Sequence, residues 1–204
     1  MERHDPSFER GYASLVLSCS ERILLMLSLR FVPTKPEHAR DLLSWRYPPP
    51  YDIYNEPETS VQERENIVRF ICDPINGYSS MLDQAGVLVG LCSHGFDAQV
   101  EGGDYSENAL DVGLGLKPEN AGRGFGTGVV RQILAYYHRL YQPQKFRATI
   151  AAFNRRSQRV FEKNQFQRTQ TFQRADGSDF YVYVRGPLTA EELAGRPDAE
   201  DSAP

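Results

Sequence analysis

The sequence predicts a single α/β domain, and three observations carry that prediction. Apolar alternation of period two and apolar spacing of three to four take turns along the chain, as strands and helices in mixed order require. Residues 109–134, ALDVGLGLKPENAGRGFGTGVVRQIL, run from an alternating strand through a glycine-rich turn straight into a helical pattern. A length of 204 residues with 40% hydrophobic content suits one sizeable core.

The apolar, branched run 23–32 predicts the first strand. Thr34-Lys-Pro-Glu37 has the form of a capping box and opens a helix with Ala39, Leu42 and Leu43 inward. Three prolines within Trp45 to Tyr54 end it. Ser60-Val-Gln-Glu63 repeats the capping-box form before a second helix, whose inward face is Ile67, Phe70 and Ile71. Residues 78–84 and 87–96 read as strands joined at Gln84-Ala-Gly86. A polar loop over 97–108 carries four acids (Asp97, Glu101, Asp104, Glu107) and no base.

In the strand over 109–116, Leu110, Val112, Leu114 and Leu116 share one face, and Asp111, Gly113 and Gly115 share the other. Two glycines on one face predict a bare furrow beside the backbone. The third helix places Val130, Ile133, Leu134, Tyr137 and Tyr141 at helical spacing and stops before Pro143. A strand over 146–151, a helix over 154–164, and strands over 166–172 and 180–185 about Asp176-Gly177 complete the order. The domain is expected over 23–186, with an N-terminal extension over 1–22 and an acidic disordered tail over 187–204.

A formal net charge of -4 disfavours a nucleic-acid backbone and favours a cationic acceptor. Cys19, Cys72 and Cys92 form no C-x-x-C pair, which argues for free thiols in a reducing, cytoplasmic compartment and against a metal site. The apolar run 23–29 is far short of the roughly 20 residues that span a bilayer, so no membrane partner is expected.

The four glycines at Gly122, Gly124, Gly126 and Gly128 open the third helix. Amides in such a loop and first turn lack intrahelical partners, and the helix dipole adds partial positive charge, so the segment is an anion cradle. It is not a P-loop, because no lysine lies between Lys117 and Lys145. It is not a dinucleotide fingerprint either, since Thr127 and Val129 stand where the third glycine belongs.

Strand, Lys-Pro, loop, Gly122-Arg-Gly-Phe-Gly-Thr127, helix resembles the GNAT acetyltransferase family, whose coenzyme A loop reads Arg or Gln, x, x, Gly, x, Gly or Ala. Ala121 departs from that pattern. Downstream, the strand over 146–151, Asn154-Arg-Arg-Ser157 and Phe161-Glu-Lys-Asn-Gln-Phe166 resemble the family's closing segment. There Asn164-Gln165 replaces a small residue and Gly, and Phe161 replaces a Tyr that often protonates the departing thiolate. The resemblance implies a mixed sheet of about six or seven strands flanked by about four helices, splayed between the fourth and fifth strands.

It also implies roles. Acetyl-coenzyme A, with no metal, would be held by Ala121, Gly122, Arg123, Gly124, Phe125, Gly126 and Thr127, by Asn154 and Ser157, and by the backbone of Leu114 and Leu116. Arg123, Arg155 and Arg156 are charged neighbours that either neutralise phosphates or face solvent. The N-H of Leu114 would polarise the acyl oxygen, and Asp111 would serve as base, unless it is simply ion-paired. His94 is expected to be a satisfied core histidine. Tyr54, Tyr181 and Tyr183 are alternative proton donors. Trp45, Tyr47, Tyr51 and Tyr54 would line the pocket of a small-molecule or peptide amine. The implied activity is N-acetylation of a primary amine within a ternary complex. The alternative is a degenerate domain that binds acyl-coenzyme A as a sensor or interaction module. Homodimers are common in the family.

Overall fold

A computed structural model describes residues 28–194. The expectations for 1–22, for the start of the first strand and for Cys19 lie outside the described residues, as does the tail over 195–204. The elements are β1 (Arg30–Pro33), α1 (Pro36–Ser44), α2 (Val61–Cys72), β2 (Tyr78–Leu82), β3 (Leu88–His94), β4 (Leu110–Leu116), α3 (Gly126–Tyr141), β5 (Phe146–Ala151), α4 (Arg155–Lys163), β6 (Gln167–Gln173), β7 (Asp179–Arg185) and α5 (Ala190–Ala194). Seven strands form one sheet in the order β1-β2-β3-β4-β5-β7-β6. The expected mixed α/β fold is therefore present.

Every neighbouring pair is antiparallel except β4 and β5, which α3 joins as a parallel crossover. Those two pair only at Leu110 with Phe146 and Asp111 with Arg147, and beyond them β4 and β5 part. The splay falls where it was expected.

Apolar side chains cover both faces of the sheet, as a sheet with a parallel crossover requires. On one face, Val129, Val130, Ile133, Leu134 and Tyr137 of α3 pack with Val112, Phe146, Ala148 and Phe161. On the other, Ala39 and Leu43 of α1 and Val68 and Ile71 of α2 pack with Leu82, Leu88 and Leu91. Each of the valine, leucine, isoleucine and phenylalanine side chains among them contributes about 1.5–3 kcal/mol on burial. Within α2, Val68 takes the inward position expected of Phe70, which is 46% exposed and meets Tyr78 edge-on. No helix among the described residues is long and apolar enough to cross a membrane.

Local signals succeeded unevenly. Ser60 and Glu63 form the expected capping box on α2. Thr34 and Glu37 do not: the N-cap of α1 is Lys35, without a side-chain cap. Thr34 is buried instead, where its hydroxyl accepts from Ser80 Oγ at 3.2 Å. A buried hydroxyl needs that partner more than the helix end needs a cap. His94 is satisfied as expected, with Nδ1 and the Gly77 carbonyl 2.9 Å apart, but it is half-buried at the edge of the core rather than within it.

The expected disordered tail begins too early. Leu188 is 7% exposed in the α3-side core, and Arg185 grips Glu192 of α5 at 2.9 Å. One buried leucine and one largely enclosed ion pair hold a segment whose composition alone reads as loose chain.

Candidate active site

Gly122 and Gly124 take φ of +77° and +86°, a left-handed conformation that side chains resist. They turn the chain from the end of β4 into α3, and Phe125, 9% exposed, anchors that turn in the core. A Cβ added at Gly124 would meet nothing within 4 Å, so the backbone there is open. Gly126 serves packing instead: a Cβ would come within 2.9 Å of Val160 Cγ2 on α4.

α3 begins with no side-chain cap. Among the described residues, no acceptor takes the N-H groups of Gly122 through Gly128, and Val129 is the first to bond back, to Phe125. Seven amides at the positive end of a 16-residue helix suit a diphosphate. Ala121 does not join them, because its N-H is spent on Lys117 and Pro118 carbonyls. This corrects its assignment as a backbone donor. Arg123 is exposed beside the turn.

Beside this cradle lies the gap between β4 and β5. Leu110 N-H donates to Lys145 on the β5 side, whereas Lys117 N-H donates to Val89 of β3. Strand alternation therefore points the backbone groups of Leu114 and Leu116 into the gap, past the last β4–β5 pair. An extended arm carrying amides can lie there as an added strand does. The open cradle and these strand-edge groups together fit a coenzyme A molecule.

The furrow face of β4 is not bare. A Cβ at Gly113 would lie 2.8 Å from Ser93 Oγ, and one at Gly115 would lie 3.6 Å from Trp45 Cζ3 and 3.9 Å from Tyr47 Oη. The glycines make room for this chain's own side chains. Trp45, 4% exposed, belongs to the α1–α2 core rather than to an open pocket wall, and its Nε1 has no partner among the described residues.

Asp111 takes the ion-paired alternative rather than the role of base. Its side chain is 3% exposed, and Arg147 meets it through Nε to Oδ1 at 2.6 Å and Nη2 to Oδ2 at 2.8 Å. Gln99 Nε2 adds a third donor to Oδ2 at 2.8 Å. A carboxylate so occupied is a structural anchor, not a base poised for an ammonium. The pair sits at the last rung before the strands part, and Arg147 also holds the Glu107 carbonyl and lies over the Tyr105 ring. The acidic loop is thus folded onto the sheet. Lys145 pairs Glu107, and Tyr78 bonds Asp97.

The loop between α1 and α2 bridges the gap, a relationship no sequence signal disclosed. Tyr47 Oη donates to the Leu116 carbonyl at 2.7 Å on the β4 side. Burial pushes the Tyr47 hydroxyl up to about 12, so it remains a proton donor. On the α4 side, Tyr54 Oη accepts from Asn154 Nδ2 at 3.1 Å, and the rings of Tyr51 and Tyr54 both rest against Phe153. Burial likewise raises Tyr54. Asn55 fixes the loop by pairing both the N-H and the carbonyl of Tyr47.

Asn154 caps α4, accepting from Ser157 N-H at 3.1 Å, so that amide is committed and only the Ser157 hydroxyl is left for a ligand. Tyr183 bonds Glu162, and Tyr181 lies beneath Arg168, which leaves Tyr54 as the tyrosine next to Asn154. Phe161 is 3% exposed, edge-on to Phe166. The departures at 164 and 165 have local reasons. Asn164 Nδ2 ties the Val160 and Thr127 carbonyls together, and Gln165 takes the φ of +65° that a glycine would take freely.

A family model described as acetyltransferase (GNAT) domain matches residues 28–167. A search of curated proteins finds no match. Among solved structures, a chimera of spermidine N-acetyltransferase SpeG from Vibrio cholerae and hSSAT is similar with a TM-score of 0.61 at 18% identity, over 82% of this chain and 99% of that one. A GNAT-family acetyltransferase from Bacillus anthracis is similar with a TM-score of 0.60 at 16% identity, over 78% and 94%. The Vibrio cholerae spermidine N-acetyltransferase in complex with CoA and spermine gives 0.60 at 16%, over 78% and 95%. At these identities the structures speak for the fold. The family model covers well over half of the sequence, and the chain belongs to the GNAT acetyltransferases.

Proposed function

We propose that this protein transfers an acetyl group from acetyl-coenzyme A to a primary amine within a ternary complex. The observation that carries the reading is the run of amides from Gly122 to Gly128 that have no acceptor among the described residues, opening beside strand-edge groups of Leu114 and Leu116. Bound there, acetyl-coenzyme A would supply an acetyl group already activated as a thioester, with the coenzyme A thiol as the leaving group. The amides hold its diphosphate, and the β4 edge aligns its arm. The Leu114 N-H, which faces the gap, would donate to the reacting carbonyl, and a fixed dipole aimed at developing charge is usually the largest contribution such a site makes.

The acceptor enters under Tyr47, Tyr51 and Tyr54. With Asp111 committed to Arg147, the ammonium loses its proton to solvent at the mouth of the site. The Tyr54 hydroxyl, which accepts from Asn154 at the start of α4, is the candidate proton donor for the departing thiolate. That two similar structures are spermidine N-acetyltransferases supports an amine as the acceptor class.

Thiol release over a panel of polyamines, amino acids, aminoglycosides and peptide amines tests the reading. Turnover on one class is expected, with kcat/KM rising with pH through the pKa of the amine itself. The second reading, an acyl-coenzyme A binding module, is favoured by the locked Asp111 and the buried Phe161. Tight coenzyme binding with no turnover on any amine would select it.

A further inference from the structure

We infer that Arg156 is a positioning residue that couples the donor's diphosphate to the acceptor loop, an inference that rests on the proposed function. Arg156 is the second residue of α4, and its guanidinium carbon lies 3.7 Å from the centroid of the Tyr51 ring. Its Nη1 would be 3.1 Å from a Cβ on Gly122. One cation therefore touches both the glycine turn and the tip of the aromatic loop. Its charge also reaches Tyr47 and Tyr54, opposing the upward push of burial on each.

The guanidinium pairs with no carboxylate among the described residues. A face stacked on an aromatic ring leaves the in-plane N-H donors pointing outward, the geometry that grips two phosphate oxygens at once. Lysine has the charge but neither the plane nor the fork. The glycine at 122 leaves the space the guanidinium needs beside the cradle.

The loop under that stack is attached at both sides of the gap. Tyr47 holds the Leu116 carbonyl, and Tyr54 is held by Asn154. Both anchors are groups expected to meet the donor, so an incoming arm competes with the loop for them. Arg156 supplies what those anchors lose. Drawn onto the diphosphate, it keeps Tyr51 stacked and sets the loop in its acceptor-binding position. A filled donor site then costs the acceptor less ordering on binding, which is the physical content of coupling between the two sites.

Trp45 is the single tryptophan of the chain; its side chain lies in the α1–α2 core with Cζ3 3.6 Å from a Cβ on Gly115 of β4, so its emission reports how the start of this loop seats on β4, without turnover. Coenzyme A would be titrated into wild type, Arg156→Ala, Arg156→Lys, Tyr51→Phe and Tyr51→Leu, by calorimetry and by Trp45 fluorescence, with thermal melts confirming that each variant folds. Wild type is expected to bind with a change in emission. Arg156→Ala should bind about tenfold more weakly and give no change at saturation, and Arg156→Lys should recover part of the affinity without the change. Tyr51→Leu should bind within about threefold of wild type yet lose the change, and Tyr51→Phe should keep it. The deficit of Arg156→Ala should persist with 3′-dephospho-coenzyme A.

Wild-type affinity in Arg156→Ala, or a full emission change in Tyr51→Leu, overturns the coupling alone. A deficit that vanishes with the dephospho ligand overturns the diphosphate assignment. A wild type that binds no coenzyme A overturns the parent reading, and the coupling with it.

Discussion

Asp111 and Arg147 meet side by side as the last paired residues of β4 and β5, joined at 2.6 and 2.8 Å with both side chains 3% exposed. Past this rung the strands part and their backbone becomes available. The ion pair therefore closes the paired stretch of the two strands on one face of the sheet, and the Asp111 partner holds the Arg147 guanidinium above its usual range.

Replacing Asp111 with Asn should destabilise the protein by about 3–5 kcal/mol, because it leaves a buried guanidinium uncompensated. Urea melts would read that loss, and the pH profile of kcat/KM in the surviving folded fraction should keep its shape. A missing limb in that profile, with stability intact, would return Asp111 to the role of base.

At Gly124, valine should weaken coenzyme A binding by more than tenfold, because its side chain would fill the open face of the cradle. Strain at φ of +86° adds roughly 1–2 kcal/mol of destabilisation. Gly177→Val is the control, since it carries the same strain at φ of +84° in a distant turn. Calorimetry and melts of the two variants separate the effects, and equal affinities would remove the loop from the donor site.

Gly126→Val behaves differently. Its Cβ meets Val160 Cγ2 at 2.9 Å, so α3 and α4 must move apart. The expected cost is about 1–3 kcal/mol in a melt, as for an overpacked core. A neutral result would mean that the contact yields.

Glu192 holds the C-terminal segment through Arg185. The hydrogen bond from Arg185 pulls the carboxyl down from 4.5 to about 2. A depressed carboxylate stabilises the fold above its unfolded pKa and loses that contribution as pH falls from 4.5 toward 2. Glu192→Gln should therefore cost about 1–3 kcal/mol at pH 7, with the side chain 20% exposed, and the gap between variant and wild type should close as pH falls to about 2. A gap independent of pH would show that the loss is packing.

Cys92 is 1% exposed, and burial raises its thiol to about 12, whereas Cys72 is partly accessible. Alkylation at pH 8 with peptide mapping should find Cys72 modified in the native protein and Cys92 only after denaturant. Early labelling of Cys92 would mean that the α3-side core opens readily.

How much of this was legible in residues depends on the range over which each cause acts. The glycine turn declared itself because positive φ and an uncapped helix start are local properties, written at Gly122, Gly124 and the helix that follows. Strand and helix order followed from periodicity, and the Ser60 box from a four-residue reach. The same four-residue form failed at Thr34, whose hydroxyl partner lies 46 residues away at Ser80.

By itself, the sequence determined the mixed α/β order, the glycine turn into an uncapped helix start, and the family. Only the tertiary structure decided that Asp111 is spent on Arg147, that the furrow of Gly113 and Gly115 is filled by Ser93, Trp45 and Tyr47, and that Tyr51 meets Arg156. The physical reason is that a side chain's partner is set by which elements the sheet brings together. Charge and aromatic pairing of that kind, acting across 36 or more residues, leaves no periodic trace along the chain.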